Sequence, residues 1–393
     1  MKATQHLSSG IDETDDARRL RRLEAFNPAF RRDIERLTQD SPALEDLTES
    51  FPGLLFALAT GYGKPAKRRA CLQAISRGSP LQRAAMILSL PWWLRRLPPA
   101  AYTHKIRSLP GNAEFARQVV DLIPADTSEM GPWLWAVEHG YRGCHWQFSL
   151  WAARWLSRYN RVLASPGGEN NFRLLTAWAW HTDREDTPGY ELLRKPWSSE
   201  MGLRKAMDEL GIWRRRAALA VVLNSRKEDD WLTEGTAAGY EFVALLTPGD
   251  FIRESDAMEN CLDQFSDHLE GSLSRIFSIR KKGRTVANLE IVPHESEPTI
   301  PGIRQLRGRR NHKARPEVWR AAYTWLSGQS LRPPHASARR LDRARTQQAA
   351  LELWLPYLEF LDNAGLAEEF AASVIGLKPV ASKRVSKVSK KEK

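Results

Sequence analysis

The sequence has few cysteines and no long apolar run, and both absences narrow the kind of protein it encodes. Its three cysteines, Cys71, Cys144 and Cys261, are odd in number and far apart, which is typical of reduced thiols in a cytoplasmic protein. Charged residues or prolines interrupt the apolar stretches before they reach bilayer-spanning length. The N-terminus has no apolar segment of the signal-peptide kind. We therefore expect a cytoplasmic protein without membrane insertion.

Patterns for common phosphate and metal sites are also missing. The GYGKP segment at 61–65 lacks the Ser or Thr that follows the lysine of a phosphate-binding loop, so it indicates a turn after a helix. His139, Cys144, His145 and His181 match no zinc-ligand spacing. We expect neither a metal site nor a cofactor.

Positive charge is concentrated in one block. The formal net charge is +12, yet residues 1–300 hold 40 Lys/Arg and 39 Asp/Glu. Residues 301–350 hold 12 Lys/Arg against Glu317 and Asp342. Such a block suits DNA or RNA, because neutralising phosphates releases condensed counterions, although an Arg-rich surface packed on acidic groups stays an alternative. The candidate nucleic-acid contacts are Arg304, Arg307, Arg309, Arg310, Lys313 and Arg315.

Hydrophobic periodicity divides the chain into a helical part and a smaller mixed part. We predict an α+β fold with a mostly α-helical N-terminal region (1–215) whose recurring helices hint at a solenoid-like array. A small helix-plus-antiparallel-hairpin domain (216–330), C-terminal helices (331–380) and a basic disordered tail (381–393) follow. The 15 tryptophans favour a helical core, and stacking on nucleic-acid bases is the alternative.

Three elements are predicted in the mixed part. Met258, Leu262, Phe265 and Leu269 recur at helical spacing and predict a helix over 255–269 with Gly271 as its cap. A hairpin with its turn at 281–284 follows, and residues 303–306 are expected to add a third strand. Strand alternation puts Phe277, Ile279, Leu289 and Ile291 on one face of the hairpin and Ser278, Arg280, Asn288 and Glu290 on the other.

Cys261 is one candidate catalytic residue. It lies in the first turns of the predicted helix, where the dipole and free amides lower a thiol pKa, and His268 and His294 are candidate bases. Asp256 and Glu259 would oppose that shift, and packing in the core explains the cysteine equally well.

A polar cluster on the hairpin is the second candidate. Arg280 and Glu290 share one face, and Gln305 and Asn311 approach it if the third strand pairs with the hairpin. The structural alternative is a cross-strand ion pair between Arg280 and Glu290. The catalytic candidates are therefore Cys261, Arg280, Glu290, Gln305 and Asn311.

The order of parts from 246 to 311 resembles the PcfJ-like domain of conjugative plasmids and other mobile elements. The residues that carry the resemblance are Leu246, Glu254, Met258, Cys261, Gly271, Ile276-Phe277-Ser278-Ile279-Arg280, Ala287, Leu289-Glu290-Ile291 and Gln305-x-x-Gly308-x-x-Asn311. The family pattern has His and Tyr where this chain has Asn260 and Phe265, so a family site that uses them would be altered here. The resemblance spans residues 217–326 and implies an accessory protein of plasmid transfer or mobile-element maintenance.

Three functions remain open from the sequence. The first is a mobile-element accessory protein that binds nucleic acid, or a nucleoprotein partner encoded by the same element, through the basic block. The second is an enzyme that uses Cys261 or the polar cluster. The third is a protein-interaction scaffold built on the helical array.

Overall fold

The computed structural model describes residues 15–39, 41–159, 163, 165–226, 231–270, 273–331 and 343–375. The chain forms two compact units, Met1–Thr176 and Ala177–Lys393. The predicted α+β class is confirmed, because helices predominate and five strands form one antiparallel sheet. The domain boundaries proposed at 215, 330 and 380 stay predictions, and the proposed tail at 381–393 lies outside the described residues.

The first unit is helical in the residues that the structure describes. Its α-helices are Asp15–Glu24, Pro28–Thr38, Pro42–Glu45, Leu47–Ser50, Pro52–Ala59, Pro65–Ser76, Leu81–Leu88, Ala113–Val119, Thr127–Gly143, Trp146–Leu156 and the first part of Gly168–His181. Short 3-10 turns lie at Trp92–Arg96, Pro99–Ala101 and Val120–Leu122.

The helix Thr127–Gly143 has no counterpart among the sequence predictions, because Gly131, Pro132 and Gly140 weaken its helical signal. Packing against the Trp146–Leu156 helix supplies what local propensity lacks. The indole of Trp133 donates to the Ala153 carbonyl at 3.0 Å. Trp133 and Trp151 are fully buried, as the core interpretation of the tryptophans predicts.

The second unit combines helices with the sheet. Its α-helices beyond residue 181 are Pro188–Glu191, Leu203–Ser225, Pro248–Met258, Ser266–Glu270, Pro316–Ser327, Arg343–Ala364 and Ala367–Phe370, followed by a π turn at Ala371–Ile375. The Leu203–Ser225 helix packs against the Arg343–Ala364 helix, where Trp213 and Trp354 meet edge to face at 5.4 Å. In the described residues no helix has the length and apolar character needed to cross a membrane.

The sheet has the strand order β1-β2-β3-β4-β5, with neighbouring strands antiparallel. The strands are β1 (Gly235–Ala237), β2 (Tyr240–Ala244), β3 (Arg275–Lys281), β4 (Arg284–Pro293) and β5 (Pro301–Arg307). Lys282 and Gly283 join β3 to β4 with φ of 51° and 71°, the paired positive values of a two-residue hairpin turn. The predicted hairpin and third strand are confirmed, and β1 is an addition.

The two faces of the sheet are both covered. Phe277, Ile279 and Leu289 belong to a core with the Pro316–Ser327 helix, where Trp325 stacks on Phe242 at 4.6 Å. On the opposite face the predicted polar residues Ser278, Asn288 and Glu290 are also buried. The Pro248–Met258 helix packs over β4 on that side. Buried polar side chains need partners, so this face is where a specific polar arrangement is expected.

The single helix predicted over 255–269 is wrong. The helix ends at Met258, and Glu259 takes a left-handed conformation with φ 49°. A 3-10 turn at Leu262–Gln264 and the short helix Ser266–Glu270 follow. The predicted cap Gly271 lies outside the described residues. Cys261 therefore occupies the irregular connection after a helix.

Candidate binding pocket

A pocket of about 450 Å³ lies on the polar face of β3, β4 and β5. Four of the five catalytic candidates line it, namely Cys261, Glu290, Gln305 and Asn311. Its other lining includes Asn260, Leu262, Phe265, His268, Ile276, Asn288 and Arg307. The pocket opens to solvent, because Cys261, His268, Arg307 and Asn311 are exposed. The structure thus brings together residues up to 50 positions apart in sequence.

Cys261 lies at the pocket wall with its thiol accessible. The Asn311 amide nitrogen is 3.8 Å from the Cys261 sulfur. The expectation that a helix N-terminus lowers the thiol pKa is wrong in its premise, because Cys261 follows the C-terminus of the Pro248–Met258 helix. His268 lines the same pocket, whereas His294 lies in the turn after β4 and contacts Ser296.

Glu290 is a buried carboxylate held by two neighbouring residues of β5. The Gln305 side-chain amide donates to its Oε2 at 2.7 Å, and Arg304 approaches Oε1 at 3.4 Å. A bulge makes this double contact possible: Glu290 pairs with Gln305 but Ile291 pairs with Ile303, so Arg304 is the extra residue. Both donors therefore reach one carboxylate.

Arg280 lies apart from the pocket and does not pair with Glu290. Its Nε donates to the Ser278 hydroxyl at 3.2 Å, and its backbone is in register with Thr285 and Glu241. The suggested Arg280–Glu290 ion pair is wrong because Glu290 lies opposite Ile276, four residues before Arg280 on β3.

A chain of buried amides leads from the Pro248–Met258 helix to the pocket. Glu254, 4% exposed, accepts from the Asn288 amide at 2.6 Å and from the Thr285 hydroxyl at 3.2 Å. The Asn288 oxygen accepts from the Asn260 amide at 2.7 Å, and the Asn260 oxygen accepts from the Leu262 backbone at 3.2 Å. These bonds fix the connection that carries Cys261.

A clamp of charged residues holds the opposite wall. Glu259 forms ion pairs with Arg309 and Arg310, which hold the pKa of its carboxyl below the ordinary value, the Arg310 contact contributing most. Arg310 and Asn311 adopt left-handed backbone with φ of 54° and 58°. Asn tolerates this conformation but Arg rarely adopts it, so the clamp stabilises a strained turn that brings Asn311 to Cys261.

All six predicted nucleic-acid contacts are exposed, and they follow one path along β5 and the turn after it. Arg304 contacts Glu290, Arg309 and Arg310 contact Glu259, and Arg315 lies 3.9 Å from Glu317. Arg307 and Lys313 form an isolated antiparallel bridge, so their side chains are neighbours. Neither has an acidic partner among the described residues.

Sequence reasoning missed the supporting residues of the pocket. Glu254 appeared only as part of a family pattern, and Asn260 only as a departure from it. Arg216, 1% exposed, joins Asp256 and Asp263 on either side of Cys261, but its partners are 40 and 47 residues away. An arginine surrounded by alanines, valines and leucines on a helix was the available signal.

The polar face contains no recognisable metal centre in the part of the chain that the structure describes, where no three His, Cys, Asp or Glu side chains are grouped to hold an ion. No protein-family model, curated protein or solved structure matches the chain. The resemblance to the PcfJ-like domain and the scaffold alternative therefore stay predictions. What the fold defines is an α+β protein with a polar, thiol-containing pocket beside a basic strip.

Proposed function

We propose that the chain binds nucleic acid through the basic strip, defined as Arg304, Arg307, Arg309, Arg310, Lys313 and Arg315, as an accessory protein of a mobile element. The PcfJ-like resemblance supports the biological setting, and the exposed strip supports the binding. The observation that carries the proposal is the pairing of Arg307 with Lys313 across an antiparallel bridge.

Two adjacent cations repel each other unless an anion lies between them. Like charges directly opposite on neighbouring strands are destabilising by an amount on the order of 0.2–1 kcal/mol. A phosphate beside Arg307 and Lys313 relieves this repulsion, since the guanidinium fork binds two phosphate oxygens and the ammonium adds a point charge. The free bridge is therefore preorganised for a phosphodiester.

The remaining arginines leave the strip positive after their ion pairs are counted. Six basic residues face the three carboxylates of Glu259, Glu290 and Glu317. These carboxylates also fix the arginine positions, which lowers the entropy lost when phosphates bind. The surplus charge steers a polyanion towards the strip and makes the complex sensitive to salt.

Binding of a labelled oligonucleotide by the full chain is expected to weaken steeply as salt is added. Replacing Arg307 and Lys313 together with glutamine should reduce the slope of log affinity against log salt by about 2, roughly one unit per lost phosphate contact. Fluorescence anisotropy over a salt series measures both quantities, with single-stranded DNA and RNA as separate arms.

The matched control is Arg69→Gln, which removes one positive charge from an exposed residue of the Pro65–Ser76 helix. It should leave the slope unchanged within about 0.3 units if it contacts no phosphate. Absence of salt-dependent binding to either polymer, or equal slopes for the double variant and the parent, would refute the proposal.

Thiol chemistry at Cys261 is a second candidate, favoured by its exposure in a pocket with Glu290, Gln305 and Asn311. We expect iodoacetamide to modify Cys261 in the folded protein. Cys71 and Cys144 should react only after unfolding, because both are buried and burial raises the pKa of Cys71 to about 11. Peptide mass spectrometry over a time course resolves the three sites.

An enzymatic role requires more than access. Cys261 should then react faster than a thiol in an unstructured peptide, and the rate should fall in Asn311→Gly, which removes the neighbouring amide yet suits a left-handed backbone. A rate equal to that of the peptide thiol would count against catalysis while leaving the accessibility prediction intact.

A further inference from the structure

The pocket and the Arg307–Lys313 pair belong to one continuous surface. Arg307 lines the pocket and is in register with Asn288 on β4, while Lys313 bridges to Arg307 on the other side. A phosphate bound by this pair therefore lies at the pocket mouth. Whatever is attached to that phosphate is placed beside the pocket.

The pocket wall on the Cys261 side offers an aromatic surface. Phe265 and His268 stack at 4.9 Å between ring centroids with planes 23° apart, and both line the pocket with Leu262. Flat unsaturated groups stack on such surfaces, and nucleobases do so with little dependence on their sequence. His268 is exposed and Phe265 half-buried, so the pair combines access with a fixed position.

The opposite wall offers amide groups with unused hydrogen-bonding capacity. Gln305 donates one hydrogen bond to Glu290, and its carbonyl oxygen has no partner among the described residues. Asn311 likewise contacts Cys261 only through its nitrogen. In contrast, Asn260 and Asn288 are occupied by their mutual bond and by Leu262 and Glu254. Amide donors and acceptors match the edges of nucleobases.

The size of the pocket selects the form of the ligand. A volume of about 450 Å³ lies within the range of small-molecule sites and admits one nucleotide. Bases within a duplex are stacked and paired, so they reach such a pocket only from a single strand or after extrusion.

We propose that this pocket binds one unstacked nucleobase of a single-stranded nucleic acid, with the adjoining phosphate on Arg307 and Lys313. The inference rests on the proposed nucleic-acid binding and adds a base-binding subsite to it. The Phe265–His268 pair supplies stacking, and Gln305 and Asn311 supply hydrogen bonds. Cys261 lies at the edge of the base.

The test compares single-stranded oligonucleotides with abasic strands of the same length on the full chain. We expect the abasic strand to bind more weakly by on the order of tenfold with an unchanged salt slope, because bases contribute stacking and phosphates contribute counterion release. A duplex of the same sequence should gain no affinity over the abasic strand.

Pocket variants locate the effect. His268→Ala and Asn311→Gly should each reduce the difference between the two strands, while the matched control His294→Ala, an exposed histidine outside the pocket, should preserve it. Salt-dependent binding with equal affinity for both strands would overturn the base subsite alone. A difference that persists in both pocket variants would also overturn it. Absence of salt-dependent binding would overturn the proposed function as well.

Discussion

Replacing Arg216 with methionine is expected to lower the free energy of unfolding by about 3–5 kcal/mol. The Arg216 side chain is 1% exposed and forms ion pairs with Asp256 at 3.0 Å and Asp263 at 3.1 Å. Methionine fills a similar volume but leaves the nearly buried Asp263 carboxylate without its cation. Removing one partner of a buried pair costs far more than the net strength of the pair. Urea denaturation followed by circular dichroism measures the change.

Arg214→Met provides a matched control because Arg214 is exposed on the same helix. It should change the stability by less than about 0.5 kcal/mol. A loss in Arg216→Met no larger than in this control would show that the two aspartates are satisfied without the arginine.

The Arg216 network also explains why the predicted helix over 255–269 fails. Met258, Leu262 and Leu269 are buried as the periodicity requires. However, the chain turns left-handed at Glu259, where Arg309 and Arg310 hold the carboxylate, and Arg216 holds Asp256 and Asp263 on either side. Helical spacing reports which residues are buried, but ion pairs distant in sequence decided where the helix stops.

The sheet was more predictable than the pocket because strand alternation is a local signal. The apolar pattern of Phe277, Ile279, Leu289 and Ile291 identified both strands and the face of the core. Pairing of the third strand then placed Gln305 beside Glu290, as expected. Alternation does not give register, so Arg280 was grouped with Glu290 although Ile276 lies opposite it.

The bulge at Arg304 was likewise beyond the sequence. It puts two consecutive residues opposite Glu290 and thereby turns one candidate phosphate contact into a partner of a buried carboxylate. The basic block therefore combines two roles that composition cannot separate. Arg304, Arg309 and Arg310 build the pocket wall, whereas Arg307 and Lys313 stay available for an anion.

Replacing Glu254 with methionine is the second large change, with an expected loss of about 2–4 kcal/mol in the free energy of unfolding. Glu254 is the sole acceptor recorded for the Asn288 amide and also accepts from Thr285, under the Pro248–Met258 helix. Methionine leaves these buried donors without an acceptor, and each unpaired buried donor costs about 1–3 kcal/mol. Thermal and urea unfolding of the full chain measure the loss.

Glu254→Gln separates hydrogen bonding from charge. The glutamine oxygen can accept from Asn288, and its amide can donate to Thr285, whose hydroxyl is 3.1 Å from Ser278. We therefore expect a loss below about 1 kcal/mol, and Glu295→Met, on an exposed loop residue, should change stability by less than about 0.5 kcal/mol. Asn288 also orients Asn260 beside Cys261, so Glu254→Met should increase the alkylation rate of Cys261 relative to Glu254→Gln as the connection loosens. Equal stability of the methionine and glutamine variants would mean that water satisfies Asn288, and the amide chain would then not be what fixes the pocket.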